Sequence, residues 1–242
     1  MPDRGTLETA ASGAPEPPAF SGGSHPFSGL AREYLETLLS GNRGNASRLI
    51  LAAADNGMTV KDIYLHVFQP AQYEIGNLWQ TNKISVAQEH FCTAATQLIM
   101  SQLYPRIFSG NKSGGTIVAT CVSGELHEIG VRMVADFFEM DGWNSYYLGS
   151  NMPFPDIVDA VATHKADVLA VGVTITRHVP EVEQLIRAAR SSPACAAVKI
   201  LAGGYPFNID RGLAAKIGAD GSAPDAGSAI ALAREWLEKS AS

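Results

Sequence analysis

Thr116-Ile117-Val118-Ala119-Thr120 runs through Cys121 and Val122 into Ser123-Gly124-Glu125-Leu126-His127-Glu128-Ile129-Gly130, and this stretch decides the fold. A short β-branched and apolar run stopped by a polar, Gly-containing loop reads as a strand. From about Glu128 to Met140 apolar residues then recur at helical spacing. The same rhythm continues down the chain. Further strands are expected at Ser145 to Leu148, Val168 to Thr174, Lys199 to Ala202 and, briefly, near Asp220. Helices fall between them at about Pro155 to His164, Pro180 to Ser191, Arg211 to Ile217 and Gly227 to Lys239. Alternating strand and helix implies a parallel sheet covered on both faces, with ligands bound in crevices at the carboxyl ends of the strands. The loop from Ser123 to Gly130 lies at such an end, so function is sought there.

Upstream, Asn111-Lys112-Ser113-Gly114-Gly115 has the composition of a linker, and residues 29–109 before it read as helices. Leu30, Tyr34, Leu35, Leu38 and Leu39 form one apolar stripe; Leu49, Ile50, Leu51, Ala53 and Ala54 form another that ends near Gly57. Thr59 with Asp62 resembles a capping box and opens a third helix through Ile63, Val67, Phe68, Tyr73, Ile75 and Leu78, expected to bend at Pro70. Trp79 stands in its last turn. Ser85 with Gln88 is a second capping box, and its helix runs to about Tyr104 with Glu89 and His90 near the start. Short connections make antiparallel neighbours, so Trp79, Glu89 and His90 are expected to cluster at one end of a four-helix bundle. Residues 1–28, rich in Pro, Gly, Ser and Ala, lack the apolar periodicity to repay ordering and are read as a flexible tail.

Composition narrows the function classes. A formal charge of −6 without a basic run disfavours direct nucleic-acid binding, which rests on Lys and Arg displacing counterions. Cys92, Cys121 and Cys195 are scattered, so neither a zinc motif nor a disulfide framework is written, and a reducing cytoplasm is the natural setting. No apolar run approaches the roughly 20 residues that span a bilayer, so neither export nor membrane insertion is expected.

The Ser123–Gly130 loop lacks the Gly-x-Gly-x-x-Gly turn of a dinucleotide site, which disfavours a nicotinamide-dependent dehydrogenase. Cys121 and Val122 stand where a phospho-acceptor receiver domain wants an acidic pair for magnesium. What the loop offers is the imidazole of His127, with the carboxylate of Glu125 two residues before it to take the second ring proton. One protein ligand suffices only for a metal that brings the rest of its coordination sphere, as cobalt in a corrin or iron in a haem does.

Glu125-x-His127-x-x-Gly130 resembles the Asp-x-His-x-x-Gly loop of the cobalamin-binding family of methionine synthases, corrinoid methyl carriers and light-responsive regulators, with Glu in place of Asp. The resemblance implies a flavodoxin/Rossmann-like domain of five strands over residues 116–242, with the helical bundle as its cap. It implies cobalamin (adenosyl-, methyl- or hydroxocobalamin) held base-off with cobalt on His127, beside Leu126. Thr174-Ile175-Thr176 and Gly203-Gly204-Tyr205 match strand ends that line the slot for the displaced nucleotide tail. Trp79 followed by Glu89-His90 is similar to the cap signature of the light-responsive regulators, although Gln80 stands where some of them carry a second His.

The leading reading is therefore a cytoplasmic, light- or cofactor-responsive regulator of signal transduction and transcription, acting through a partner protein or as a homo-oligomer, with no catalytic residue. A second reading is the corrinoid methyl carrier of a methyltransferase system. A third, a haem-binding sensor, is disfavoured by the Gly-Gly pair, because haem has no nucleotide tail to bury. His66, His164 and His178 are read as surface or structural, Trp143, Tyr146 and Tyr147 as sheet core, and Asp136 as part of a solvated helix face.

Overall fold

The computed structural model describes residues 25–108, 112 and 114–240. Most of the segment read as a flexible tail, and part of the linker, lie outside the described residues. β1 (Thr116–Val122), β2 (Asn144–Met152), β3 (Val168–Gly172) and β4 (Lys199–Gly203) form one parallel sheet in the order β2-β1-β3-β4. Its side chains alternate between two buried faces. Ile117, Ala119, Cys121, Val168 and Ala170 join one core with α6 (Ile129–Met140) and α11 (Ala226–Ser240); Val118, Val122, Leu169 and Val171 join another with α7 (Phe154–His164) and α8 (Val179–Ser191). Burial on both faces is what makes the central strands β1 and β3 largely apolar, whereas the edge strand β2 is partly exposed and carries Asn144, Ser145 and Asn151.

The sheet has four strands among the described residues, not the five expected. Near Asp220 only a single parallel bridge, Leu201 to Gly221, continues it. The Asp220 carboxylate itself accepts the Ile200 N–H at 2.7 Å, a donor that a longer ladder would use, and Pro224 a few residues on has none to offer. The helix expected over Arg211 to Ile217 is the shorter α10 (Leu213–Lys216), and a further short helix that was not expected, α9 (Tyr205–Ile209), directly follows the glycine pair.

The N-terminal half is a helical bundle of α1 (Ser28–Leu39), α2 (Arg43–Asp55), a long third helix and α5 (Val86–Leu103). The third helix is composite: α3 (Val60–Ile63) widens into a π-helical turn over Tyr64–Phe68 and continues as α4 (Gln69–Gln80). Pro70 lacks an N–H and crowds the carbonyl four residues back, and the π turn immediately before it gives that ring room. The capping box at Ser85 and Gln88 is formed in both directions.

Cap and sheet domain share one continuous core, and a buried polar contact crosses it. Tyr64 Oη, from the π turn, donates to Asp136 Oδ2 on α6 at 2.7 Å. Asp136, read as part of a solvated face, is therefore buried, because the bundle covers the side of α6 that its periodicity alone leaves to water. Burial raises its pKa, opposed by the Tyr64 hydrogen bond and Arg132. Tyr64→Phe should cost about 1–3 kcal/mol by stranding that carboxyl; denaturant unfolding of the apo chain measures it, and an unchanged midpoint would mean that water replaces the hydroxyl. Of the aromatics read as sheet core, Trp143 is buried, but Tyr146 is exposed and stacks on His164 at 3.6 Å.

Candidate functional site

In the order β2-β1-β3-β4 the chain leaves β1 in one direction and β3 in the other, so a crevice opens between their carboxyl ends. The Glu125 loop closes the floor of that crevice. Ser123 Oγ donates to the Met152 carbonyl at 3.2 Å, the Gly124 N–H donates to Asn151 Oδ1 at 2.8 Å, and the Asn151 N–H donates to the Glu125 carbonyl at 3.0 Å. Asn151 does this from a left-handed backbone, φ 55°, which Asn tolerates better than most residues. These bonds tie the loop to the end of β2 and turn Glu125 inward. Asn151 has no signature in the sequence pattern and was not singled out there.

Glu125 is fully buried and each carboxylate oxygen is used. Oε1 accepts from the His127 N–H at 3.0 Å and pairs with His127 Nδ1 at 2.6 Å. Oε2 accepts from Thr174 N–H at 2.9 Å and Ile175 N–H at 3.1 Å, and pairs with His178 Nδ1 at 3.1 Å. Burial alone would push the Glu125 pKa up; the hydrogen bonds from His127, His178 and the Ile175 and His127 amides outweigh it and hold the carboxyl far below its ordinary range. The same contact raises the pKa of His127, with burial opposing and the charges of Glu125 and Glu89 adding. With Nδ1–H given to the carboxylate, Nε2 of His127 carries the free lone pair, on a side chain 44% exposed at the crevice. Glu in place of Asp therefore still reaches the ring.

His178, read as surface or structural, lies on the short 3₁₀ turn Thr176–His178, buried against the same carboxylate. Its partner is 53 residues away in sequence, so no local spacing signals the pair.

The cap meets this loop through α5. Gln97 Nε2 donates to Glu128 Oε1 at 2.6 Å, Tyr147 Oη donates to Glu128 Oε2 at 2.9 Å, and Arg132 Nη2 donates to Ser101 Oγ at 2.8 Å. Glu89 and His90 sit about two helical turns before Gln97, some 12 Å along the axis, and so project past the contact on the side where Glu89 acts on His127. Glu89 Oε1 accepts from Thr93 Oγ1 at 2.9 Å, and Oε2 lies 2.5 Å from His90 Nδ1. Trp79 reaches the same end of the bundle at 40% exposure, too open for core filling. It makes no hydrogen bond or ring contact to Glu89 or His90 among the described residues, whereas those two form a bonded pair at the same end.

At the neighbouring strand ends Thr174, Thr176 and Tyr205 are exposed, and Leu126 beside His127 is 68% exposed. The glycine pair divides into two roles. A Cβ on Gly204 (φ 107°) would stand 2.0 Å from the Val173 carbonyl oxygen, so β3 itself requires that glycine. A Cβ on Gly203 would meet nothing within 4 Å, nor would one on Gly130. Among the described residues no group of three or more His, Cys, Asp or Glu is placed to hold a metal ion, and no helix is long and apolar enough to cross a membrane.

A four-stranded α/β domain under a helical cap, presenting one imidazole nitrogen and open backbone at its strand ends, has the donor set of a macrocycle-binding protein. Residues 30–104 and 115–231 each match a family model described as a B12 binding domain. The chain is 26% identical over 166 residues to dimethylamine corrinoid protein 1 of Methanosarcina acetivorans, covering 68% of this chain and 77% of that protein. It is 24% identical over 214 residues to a corrinoid protein of Desulfitobacterium hafniense, covering 87% and 98%. It also superposes on the monomethylamine corrinoid protein of Methanosarcina barkeri with a TM-score of 0.75 at 22% identity, covering 86% of this chain and 99% of that one. The chain belongs to the B12-binding family, and its cofactor is cobalamin or a related corrinoid.

These findings correct the leading functional reading. The relatives are dimethylamine, monomethylamine and other corrinoid proteins, so the light-responsive regulator, with its signalling and transcriptional role, gives way to the second reading. The regulator reading rested on the resemblance carried by Trp79, Glu89 and His90, and on a cap fold that the monomethylamine corrinoid protein shares.

The residues present fit the corrinoid. Nε2 of His127 is an available nitrogen donor held in one tautomer, and the open space beside Gly203 is a cradle that any side chain would fill.

Proposed function

We propose that this chain is the corrinoid methyl carrier of a methyltransferase system. The observation that carries the reading is its likeness to dimethylamine and monomethylamine corrinoid proteins across both halves of the chain. When bound, the corrinoid supplies a cobalt that takes up and gives up a methyl group. The chain's own residues do the rest. His127 Nε2 would hold the cobalt, with Glu125 keeping the proton at Nδ1 so that Nε2 stays available. Thr174, Thr176, Gly203, Gly204 and Tyr205 border the tail slot, with Gly130 and Leu126 at the edge of the loop. Trp79, Glu89 and His90, at the end of the cap, would border the face of a bound corrinoid turned away from His127. The partner is a methyltransferase whose acceptor or donor must reach that face.

The test uses protein loaded with isotopically labelled methylcobalamin, mixed with methyltransferases that take methyl groups from corrinoid proteins to a thiol. Label should pass to the thiol sulfur faster from the loaded chain than from free methylcobalamin at the same concentration. Transfer no faster than from the free cofactor with every such partner would overturn the carrier reading.

Gly203→Val tests the tail slot. Because a Cβ at this position would meet no protein atom within 4 Å, the variant should fold, yet its cobalamin Kd should rise at least about tenfold, about 1.4 kcal/mol. Cobinamide, which lacks the nucleotide, should bind nearly as before. Equal losses for the two ligands would place the tail elsewhere.

A further inference from the structure

The Glu125 carboxylate has a second imidazole on its far oxygen, and neither the family match nor the loop motif assigns it a role. His178 Nδ1 lies 3.1 Å from Oε2, on the opposite oxygen from His127. Its other nitrogen, Nε2, accepts from Arg177 Nε at 3.3 Å. A ring nitrogen that accepts cannot also carry the donor proton, so the proton of His178 sits on Nδ1 and is directed at Glu125. Arg177 donates to His178, and His178 and His127 both donate to Glu125, so the two imidazoles converge on one carboxylate from its two oxygens. Gly124 packs against the His178 ring, with its Cβ direction 3.5 Å from Nε2, so the ring is held on the side of the loop away from the crevice.

We propose that His178 is a positioning residue for the corrinoid ligand: it holds Glu125 in the orientation that keeps His127 in its Nδ1–H form. The inference rests on His127 being the lower ligand. Its physical basis is the competition for one carboxylate. Oε2 is tethered by two backbone amides just after β3 and by His178, the one side-chain donor on that oxygen. Without it Oε2 keeps only the two amide donors, so the carboxylate is freer to rotate about its last side-chain bond and to weaken the 2.6 Å contact to His127 Nδ1. Partners one step behind a metal-ligating His typically change metal affinity by 10-fold to 100-fold when removed. The turn Thr176–His178 would then do more than close the path from β3 to α8.

Two substitutions separate a hydrogen-bonding role from a packing role. His178→Leu keeps volume and removes the donor, whereas His178→Asn puts an amide N–H close to where Nδ1 stands. Imidazole ¹⁵N NMR of the apo chain reads the tautomer of His127 directly, without cofactor. Absorption of the hydroxocobalamin-loaded chain reads the ratio of His-ligated to unligated cofactor at one fixed pH. We expect wild type to show His127 as the Nδ1–H tautomer, and His178→Leu to mix the two tautomers and lower the ligated-to-unligated ratio by about tenfold or more. His178→Asn should restore most of both. Circular dichroism of each apo variant checks folding, and if His178→Leu unfolds, the comparison of wild type with His178→Asn and with Arg177→Gln stands in for it, Arg177→Gln being expected to retain the tautomer. An unshifted tautomer and ratio in a folded His178→Leu would overturn the proposal, as would His178→Asn behaving like the Leu variant. Failure of the ligand assignment itself has a different signature: His127→Ala would leave the cofactor spectrum unchanged whatever stands at 178.

Discussion

Loaded with hydroxocobalamin, the His127→Ala variant is expected to show the absorption of a corrinoid without a protein ligand, and to bind it at least about tenfold more weakly than wild type. No other nitrogen donor in the loop can take over. The Leu126, Glu128 and Ile129 side chains have none, and His178 is turned away with both ring nitrogens engaged. The variant should fold, because His127 is half exposed and its truncation strips only the ring donor from a carboxylate that keeps four, the backbone N–H at 127 among them. It also leaves a cavity shaped for the missing ring, so free imidazole in the millimolar range should restore the ligated spectrum. Wild-type absorption in the variant, before any imidazole is added, would remove His127 from the site and with it the reading of Glu125 as its orienting partner.

The second large effect is expected at Glu125, and it should be visible without any cofactor. Gln at this position keeps the shape and replaces one acceptor oxygen by an NH2 group. Whichever way the amide turns, that group faces donors: the two from His127 on one side, or those of Thr174, Ile175 and His178 on the other. Leaving buried donors opposed should destabilise the apo chain by about 3–5 kcal/mol. The pH dependence carries a sign that identifies the cause. The folded-state pKa of Glu125 is depressed below its ordinary 4.5, so its contribution is fully present above that value and is lost as pH falls toward the depressed one. The raised pKa of His127 expresses the same contact and is not a second contribution. Melting temperatures from pH 7 down to pH 3 should fall for wild type and fall less steeply for Glu125→Gln. Parallel curves would mean that the carboxylate is not ionised in the fold.

Much of this was legible along the chain. The strand, loop and helix around Glu125 and His127, the capping box at Ser85, the α/β rhythm after residue 116 and the corrinoid as cofactor were all readable, because each depends on neighbours within a few residues. Functional class was less legible. Trp79, Glu89 and His90 come to one end of the bundle as their helix positions require, but a shared end and a resembling motif do not separate a regulator from a methyl carrier when a corrinoid protein shares the cap fold. The fifth strand failed for a different reason. A run near Asp220 looks extended in isolation, yet the ladder stops there because the Asp220 side chain takes the edge N–H of Ile200.

By itself, then, the sequence determined the elements, the pairing of Glu125 with His127 and the kind of metal complex that a single imidazole can serve. Only the tertiary structure decided which groups stand behind that pair. Placing β3 next to β1 brings His178 and the Thr174 and Ile175 amides onto the Glu125 carboxylate, and placing β2 on the other side brings Asn151 to its backbone. It decided that Gly204 serves the backbone of β3 while Gly203 faces open space, and that Asp136 is sealed under the cap. Hydrophobic periodicity reports the average burial of a face, whereas a hydrogen bond across a sheet depends on strand order and register, and those are settled by contacts between residues far apart in the chain.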